Sequence, residues 1–255
     1  MCLASKYFTL NFYTLLFLCF FFLSDFIFPQ TGLILSGQPG HLKNKRHFLE
    51  NGLDRALTLK RVYEKKSGKN KVLWIIFNSK FKFKGGCKDS LIREYVTKAN
   101  YENIDVVIVN SRKKINRIIE SFVSSTNKIR DFYYIGHAKL GELCPGYINE
   151  KFYSQPFRNR LKTDKWSSEA FCDSASINLV GGCRTAVPKF VNSLSAAGCM
   201  SHLTNGNIYA SNVKVFYPGG PVSDLTLLKK NNGQIIIIQG KKSVSSKNNT
   251  RIKFD

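Results

Sequence analysis

SINLVGGCRTA, residues 176–186, decides how this chain is read. Ile177, Leu179 and Val180 form a short run of β-favouring residues suited to the inside of an α/β sheet. Two glycines then let the backbone turn tightly, Cys183 follows, and Arg184 to Ala186 read as the first turn of a helix. Such a segment displays a thiol at the carboxyl end of a strand, the edge where open α/β sheets place their chemistry.

Outward from this stretch, strands alternate with helices. Residues 72–77 (VLWIIF), 105–109 (DVVIV) and 131–135 (DFYYI) are short apolar runs of the kind found in a parallel sheet. Between them, helices are predicted over about residues 89–99 and after a Ser111 cap, the second carrying Ile115, Ile118, Ile119 and Phe122. The third strand ends at Gly136 and His137. A longer excursion through Cys144 and Pro145 leads to a short helix over residues 168–172, and residues 187–197 form a helix that Gly198 stops. Residues 207–217 and 234–239 read as strands of an antiparallel extension. Residues 41–66 have the spacing of an amphipathic helix, with His41 and His47 at its surface, and residues 29–40 are rich enough in Gly, Pro and Ser to read as a linker.

Parallel strands joined by right-handed crossovers place their carboxyl ends on one edge, so His137 and Cys183 emerge on the same side. If their strands are neighbours, about 4.8 Å apart, an imidazole and a thiol at the two ends come within reach. A thiol, a neighbouring base and a turn rich in N–H groups are what nucleophilic catalysis at sulfur requires.

These same residues carry a family resemblance. YYIGH (residues 133–137) followed by INLVGGCRTA (residues 177–186) resembles the caspase-like cysteine peptidases, the group of caspases, gingipains, legumains and bacterial self-processing toxin domains. Their pattern is an apolar strand ending in His and, after a variable insertion, a second ending in Cys. The resemblance covers about residues 71–198. It implies His137 as general base, Cys183 as nucleophile, an oxyanion hole built from Ala138, Gly182 and Cys183, and a peptide or protein substrate, with no cofactor and no metal. The family usually has Gly directly after the His and Ala before the Cys, whereas this chain has Ala138 and Gly182. Asp131, Glu142 and Asp173 are the candidates for a third, orienting acid.

Other chemistries fit less well. A thiol phosphatase wants Arg six positions after its Cys, and that position holds Lys189. No Cys-x-x-Cys occurs and the four histidines are scattered, so no zinc pattern is present. Gly181, Gly182 and Arg184 would suit an anion at a helix start, but neither a P-loop nor a dinucleotide fingerprint accompanies them.

The amino end is distinct. Residues 7–28 are almost continuously apolar, with a core over residues 12–23 of signal-peptide length and a full run approaching the ~20 residues that span a bilayer. Export or anchoring, and membrane association through residues 7–28, are expected. Beyond that segment lie Cys87, Cys144, Cys172, Cys183 and Cys199, compatible with two disulfides and one free thiol. The formal charge of +22 is spread along the chain and draws anionic partners of any kind. No basic run is interleaved with aromatics as a nucleic-acid stacking platform would be, so nucleic acid is not the expected ligand. The runner-up reading is a catalytically inactive caspase-like module that uses its basic surface to hold an anionic partner: nucleic acid, a membrane surface or an acidic protein.

The expected fold class is α/β, a three-layer sandwich with a mainly parallel sheet (caspase-like), a C-terminal antiparallel extension and an N-terminal hydrophobic helix. Residues 1–30 are a signal peptide or membrane anchor, 31–66 a linker and amphipathic helix, 67–240 the α/β domain and 241–255 a polar tail.

Overall fold

The computed structural model describes residues 29–38, 46–65, 70–78, 89–140, 142–145, 166–188, 194–217 and 220–242. The strands are β1 (Gln30–Ser36), β2 (Lys71–Phe77), β3 (Asp105–Val109), β4 (Lys128–Ile135), β5 (His137–Lys139), β6 (Glu142–Cys144), β7 (Phe171–Gly181), β8 (Asn207–Ser211) and β9 (Ile235–Gln239). Seven of them form one sheet in the order β3-β2-β1-β4-β7-β8-β9, and β5 with β6 makes a separate hairpin. Neighbours in the large sheet are parallel except β8 and β9, so the C-terminal antiparallel extension is present.

Helices lie on both faces of the sheet. On one face, α1 (His47–Glu64) and α2 (Asp89–Tyr101) bury Leu49, Ala56, Leu59, Ile92 and Ala99 against Ile34, Trp74 and Ile76. On the other, α3 (Arg112–Ser121) and α4 (Ala196–Met200) place Ile115, Ile119, Ala197 and Met200 against Leu33, Phe132, Ile177 and Leu179. Leu227 and Leu228 of α5 (Asp224–Lys230) cover Val180, whose side chain faces away from that second layer. The alternation of inward residues along β4 and β7 thus serves both layers, as strands buried on both sides must.

The expected strands β2 and β3 hold, and Ser111 caps α3 by accepting the Lys114 N–H at 3.4 Å. The linker does not. Gln30–Ser36 is an interior strand of the sheet, buried at every position and parallel to both β2 and β4. Only Leu33, Ile34 and Leu35 make an apolar run there, flanked by Gly32 and Gly37, so composition conceals a strand that two hydrogen-bonding neighbours create. Gly32 is needed for close approach: a Cβ at that position would stand 2.2 Å from Leu59 Cδ2. The α/β unit therefore includes Gln30–Ser36, ahead of residue 67, and α1 lies in the crossover from β1 to β2.

Other boundaries move for local reasons. No helix starts at Cys183, because residues 183–186 form turns. The helix expected over residues 187–197 is instead Ala196–Met200, opened by Ser195, whose Oγ accepts the Gly198 N–H at 3.0 Å; Gly198 lies inside the helix and does not end it. Residues 168–170 form a single 3-10 turn, after which Phe171 begins β7. The strand expected over residues 207–217 ends at Ser211, where Asn212 turns the chain and its Oδ1 accepts the Gln234 N–H at 3.0 Å. No disulfide joins Cys144, Cys172, Cys183 and Cys199, so the two-disulfide arrangement is not formed. His47 is half-buried, with Nδ1 3.4 Å from Glu50, and is not a fully exposed surface residue. The apolar residues 7–28, where a hydrophobic helix is expected, His41, Cys87 and the polar tail beyond Lys242 lie outside the described residues. Among the described residues no helix is long and apolar enough to cross a membrane.

Candidate active site

The two strands that carry the sequence-predicted pair are neighbours. Phe132 of β4 is in register with Ile177 of β7, and Ile135 with Gly181. Beyond the last ladder position the Gly136 N–H donates to Gly181 O at 3.3 Å, so the chain leaves both strands side by side. His137 follows at once as the first residue of the β5–β6 hairpin, across from Cys144. Cys183 follows Gly181 by two residues.

Both side chains meet the aromatic cluster under α1. The His137 ring stands edge-on to Phe48 with centroids 5.2 Å apart, and Phe48 stands edge-on to Tyr217 at 5.4 Å. The Tyr217 hydroxyl donates to Gly181 O at 2.9 Å, and Tyr217 and Cys183 pack into the same small cluster with Val180 and Val215. Burial raises the Tyr217 phenol well above the ordinary range, with Asp224 and Cys183 adding to the effect. Phe48, Val215 and Tyr217 had no signal in the sequence, because they come from the first helix and from an irregular segment past β8.

The turn that carries the thiol is tightly held. Buried Thr185 donates its Oγ1 to Leu179 O at 3.0 Å and accepts the Ser211 N–H at 3.0 Å. The N–H groups of Arg184 and Ala186 donate to Val213 O at 2.7 Å and Ser211 O at 2.9 Å. Arg184 takes the left-handed backbone conformation, φ 51°, at a cost of about 1 kcal/mol for a side chain with a Cβ. Cys183 Sγ lies 3.3 Å from the Val215 N, which donates to it, and 3.5 Å from Val215 O, which accepts from the thiol.

The three expected oxyanion-hole residues divide. The Gly182 N–H is spent inside the turn, donating to Leu179 O at 3.0 Å, which removes it as an oxyanion donor. The Cys183 N–H is taken by no backbone carbonyl among the described residues. Ala138 lies across the hairpin from Leu143, and its methyl stands against the Gly182 backbone: a Cβ at 182 would be 3.1 Å from Ala138 Cβ. Of the candidate acids, Asp131 accepts the Tyr63 hydroxyl at 2.7 Å and Asp173 pairs with Lys242 at 2.6 Å, both in the amino-terminal halves of their strands. Glu142 is paired in register with Lys139 at the far end of the hairpin. None of the three is set beside the His137 ring by these contacts.

Among the described residues no cluster of three or more His, Cys, Asp and Glu side chains is placed to hold a metal ion. A cavity of about 350 Å³ lies at the opposite, amino edge of the sheet between Lys60, Tyr63, Lys71 and Asp105, away from His137 and Cys183. Family models, curated proteins and solved structures all give no match to this chain.

Proposed function

We propose that this protein is a caspase-like cysteine hydrolase that cleaves peptide bonds with His137 and Cys183, and that residues 7–28 carry it out of the cytoplasm or anchor it in a membrane. The observation that carries the reading is the pairing of β4 with β7, which leads His137 and Cys183 off adjacent strand ends tied by the Gly136–Gly181 hydrogen bond. In this reading His137 takes the thiol proton as Sγ attacks the scissile carbonyl carbon. The Cys183 N–H faces the resulting oxyanion, and the proton passes to the leaving amine as the C–N bond breaks. Water, activated by the same imidazole, then hydrolyses the thioester. A peptidyl acyloxymethyl ketone offered to the purified chain is expected to label the wild type, Cys144→Ala and Cys199→Ala, and not Cys183→Ala or His137→Ala. Equal labelling of all five proteins refutes the dyad.

One observation favours a second reading, an inactive module with a basic binding surface. The sulfur of Cys183 faces both polar groups of the Val215 backbone, and His137 Nε2 is shielded from solvent beside Phe48. That reading predicts binding to anionic vesicles or acidic protein that weakens steeply with salt, and salt-insensitive binding defeats it.

A further inference from the structure

Beneath the two turns that carry His137 and Cys183 lies one buried polar side chain, Tyr134, that touches both. It is 1% exposed and belongs to the core between the sheet and α3. Its hydroxyl donates to the His137 carbonyl oxygen, three residues further along the chain. The Cys144 main chain bonds the same hydroxyl, so both strands of the hairpin are tied at their open end. The ring reaches the other turn as well: a Cβ at Gly182 would lie 3.3 Å from Tyr134 Cδ1. A Cβ at Gly136 would lie 2.9 Å from the hydroxyl oxygen, so the glycine before His137 leaves the room in which that oxygen works. Burial holds the phenol well above its ordinary titration range, and it remains a donor at every pH the fold survives.

From this arrangement we propose that Tyr134 is a positioning residue for the His137/Cys183 pair, fixing through the His137 carbonyl where the imidazole stands relative to the thiol. The inference rests on the cysteine-hydrolase reading. A phenyl ring alone fills the same core space, but it leaves the His137 carbonyl without its tether, and the hairpin is then free to shift the imidazole against Cys183. Displacements of about 1 Å in such pairs cost up to about a hundredfold in rate.

The experiment uses the full chain and the same acyloxymethyl ketone, with the maximal inactivation rate and the half-saturating probe concentration measured separately across pH. Tyr134→Phe is expected to lower the maximal rate about tenfold, to leave the half-saturating concentration within about twofold, and to change the pH profile of the rate. Tyr63→Phe is the control. It also deletes one buried phenol hydroxyl, the donor to Asp131 in the amino-terminal half of β4, and is expected to lower the melting temperature while keeping the wild-type rate and pH profile. Gly136→Ala, which crowds the Tyr134 hydroxyl without removing the ring, is a second route to the same slow labelling should Tyr134→Phe not fold. Wild-type rates and pH profile in Tyr134→Phe, or in Gly136→Ala where only that variant folds, overturn the positioning role while His137→Ala still abolishes labelling. Undiminished labelling of His137→Ala overturns the dyad, and the positioning role falls with it.

Discussion

Exchanging the residues at positions 138 and 182 tests whether the two positions share one space. In the structure the two positions face each other, with a built Cβ at 182 only 3.1 Å from Ala138 Cβ and 2.8 Å from Thr185 Cγ2. Gly182→Ala alone therefore overpacks a closed space and is expected to cost about 2 kcal/mol. Ala138→Gly alone deletes one methyl and loosens the chain, for a cost of about 1.5 kcal/mol. In the double variant the contact between the methyls is gone, and those with Thr185 Cγ2 and Tyr134 Cδ1 remain. Its cost should fall short of the sum of the singles by about 1 kcal/mol. Urea unfolding of the full chain, read by tryptophan fluorescence with equal m-values across the cycle, supplies the four free energies. Additivity within about 0.3 kcal/mol would show that the two positions do not share that space, and the compensation argument would fail.

Two further expectations concern the scaffold. Gly32→Ala drives a methyl into Leu59 Cδ2 at 2.2 Å and should lower stability by about 2 kcal/mol or more, because β1 is an interior strand and Leu59 Cγ and Tyr63 Cε2 crowd the same point at 2.9 and 3.2 Å; an unchanged urea midpoint refutes the close-packing reading. Alkaline pH should unfold the protein: burial raises Tyr63 and Tyr134 above the ordinary tyrosine range, and burial with Glu50 pushes Tyr95 up to about 12. A raised tyrosine is neutral in both states below about pH 10, so nothing is lost there. Above it the unfolded chain ionises first, and stability falls by up to about 1.4 kcal/mol per pH unit for each fully buried ring. Absorbance at 295 nm should show these phenols ionising together with loss of the fold; their titration in the intact protein contradicts the burial.

How far the sequence carries the fold depends on where the information sits. β2 and β3 are legible because VLWIIF and, after Asp105, VVIV are unbroken apolar runs, and α3 because Ser111 and its isoleucines supply both a cap and a face. β1 is not, since QTGLILS is a strand only by virtue of neighbours 40 and 98 residues away, as in the pairs Thr31 with Lys71 and Thr31 with Ile129. The turn after Cys183 imitates a helix start, yet Thr185 Oγ1 bonds Leu179 O and Ser211 N and closes the segment into a loop, a long-range contact that no local propensity announces. Within the site, the placement of His137 and Cys183 at strand ends was readable, and the loss of the Gly182 N–H to Leu179 was not.

The corrected strand order bears on the site itself. With β1 read as a linker, the sheet had no centre, and His137 was merely the end of its third strand. With β1 inside the sheet, the chain winds outward through β2 and β3, returns to lay β4 on the other side of β1, and winds outward again through β7 and β8. The order reverses between β1 and β4, which is where open α/β sheets leave a crevice at their carboxyl edge. Gly37 N–H bonds Ile135 O at 2.8 Å at that point, and His137 follows two residues later. The imidazole thus stands at the reversal, and the thiol stands one strand further along. Two residues that local sequence places only at strand ends thus follow the strands at and next to the reversal, an order set by a strand whose own sequence conceals it.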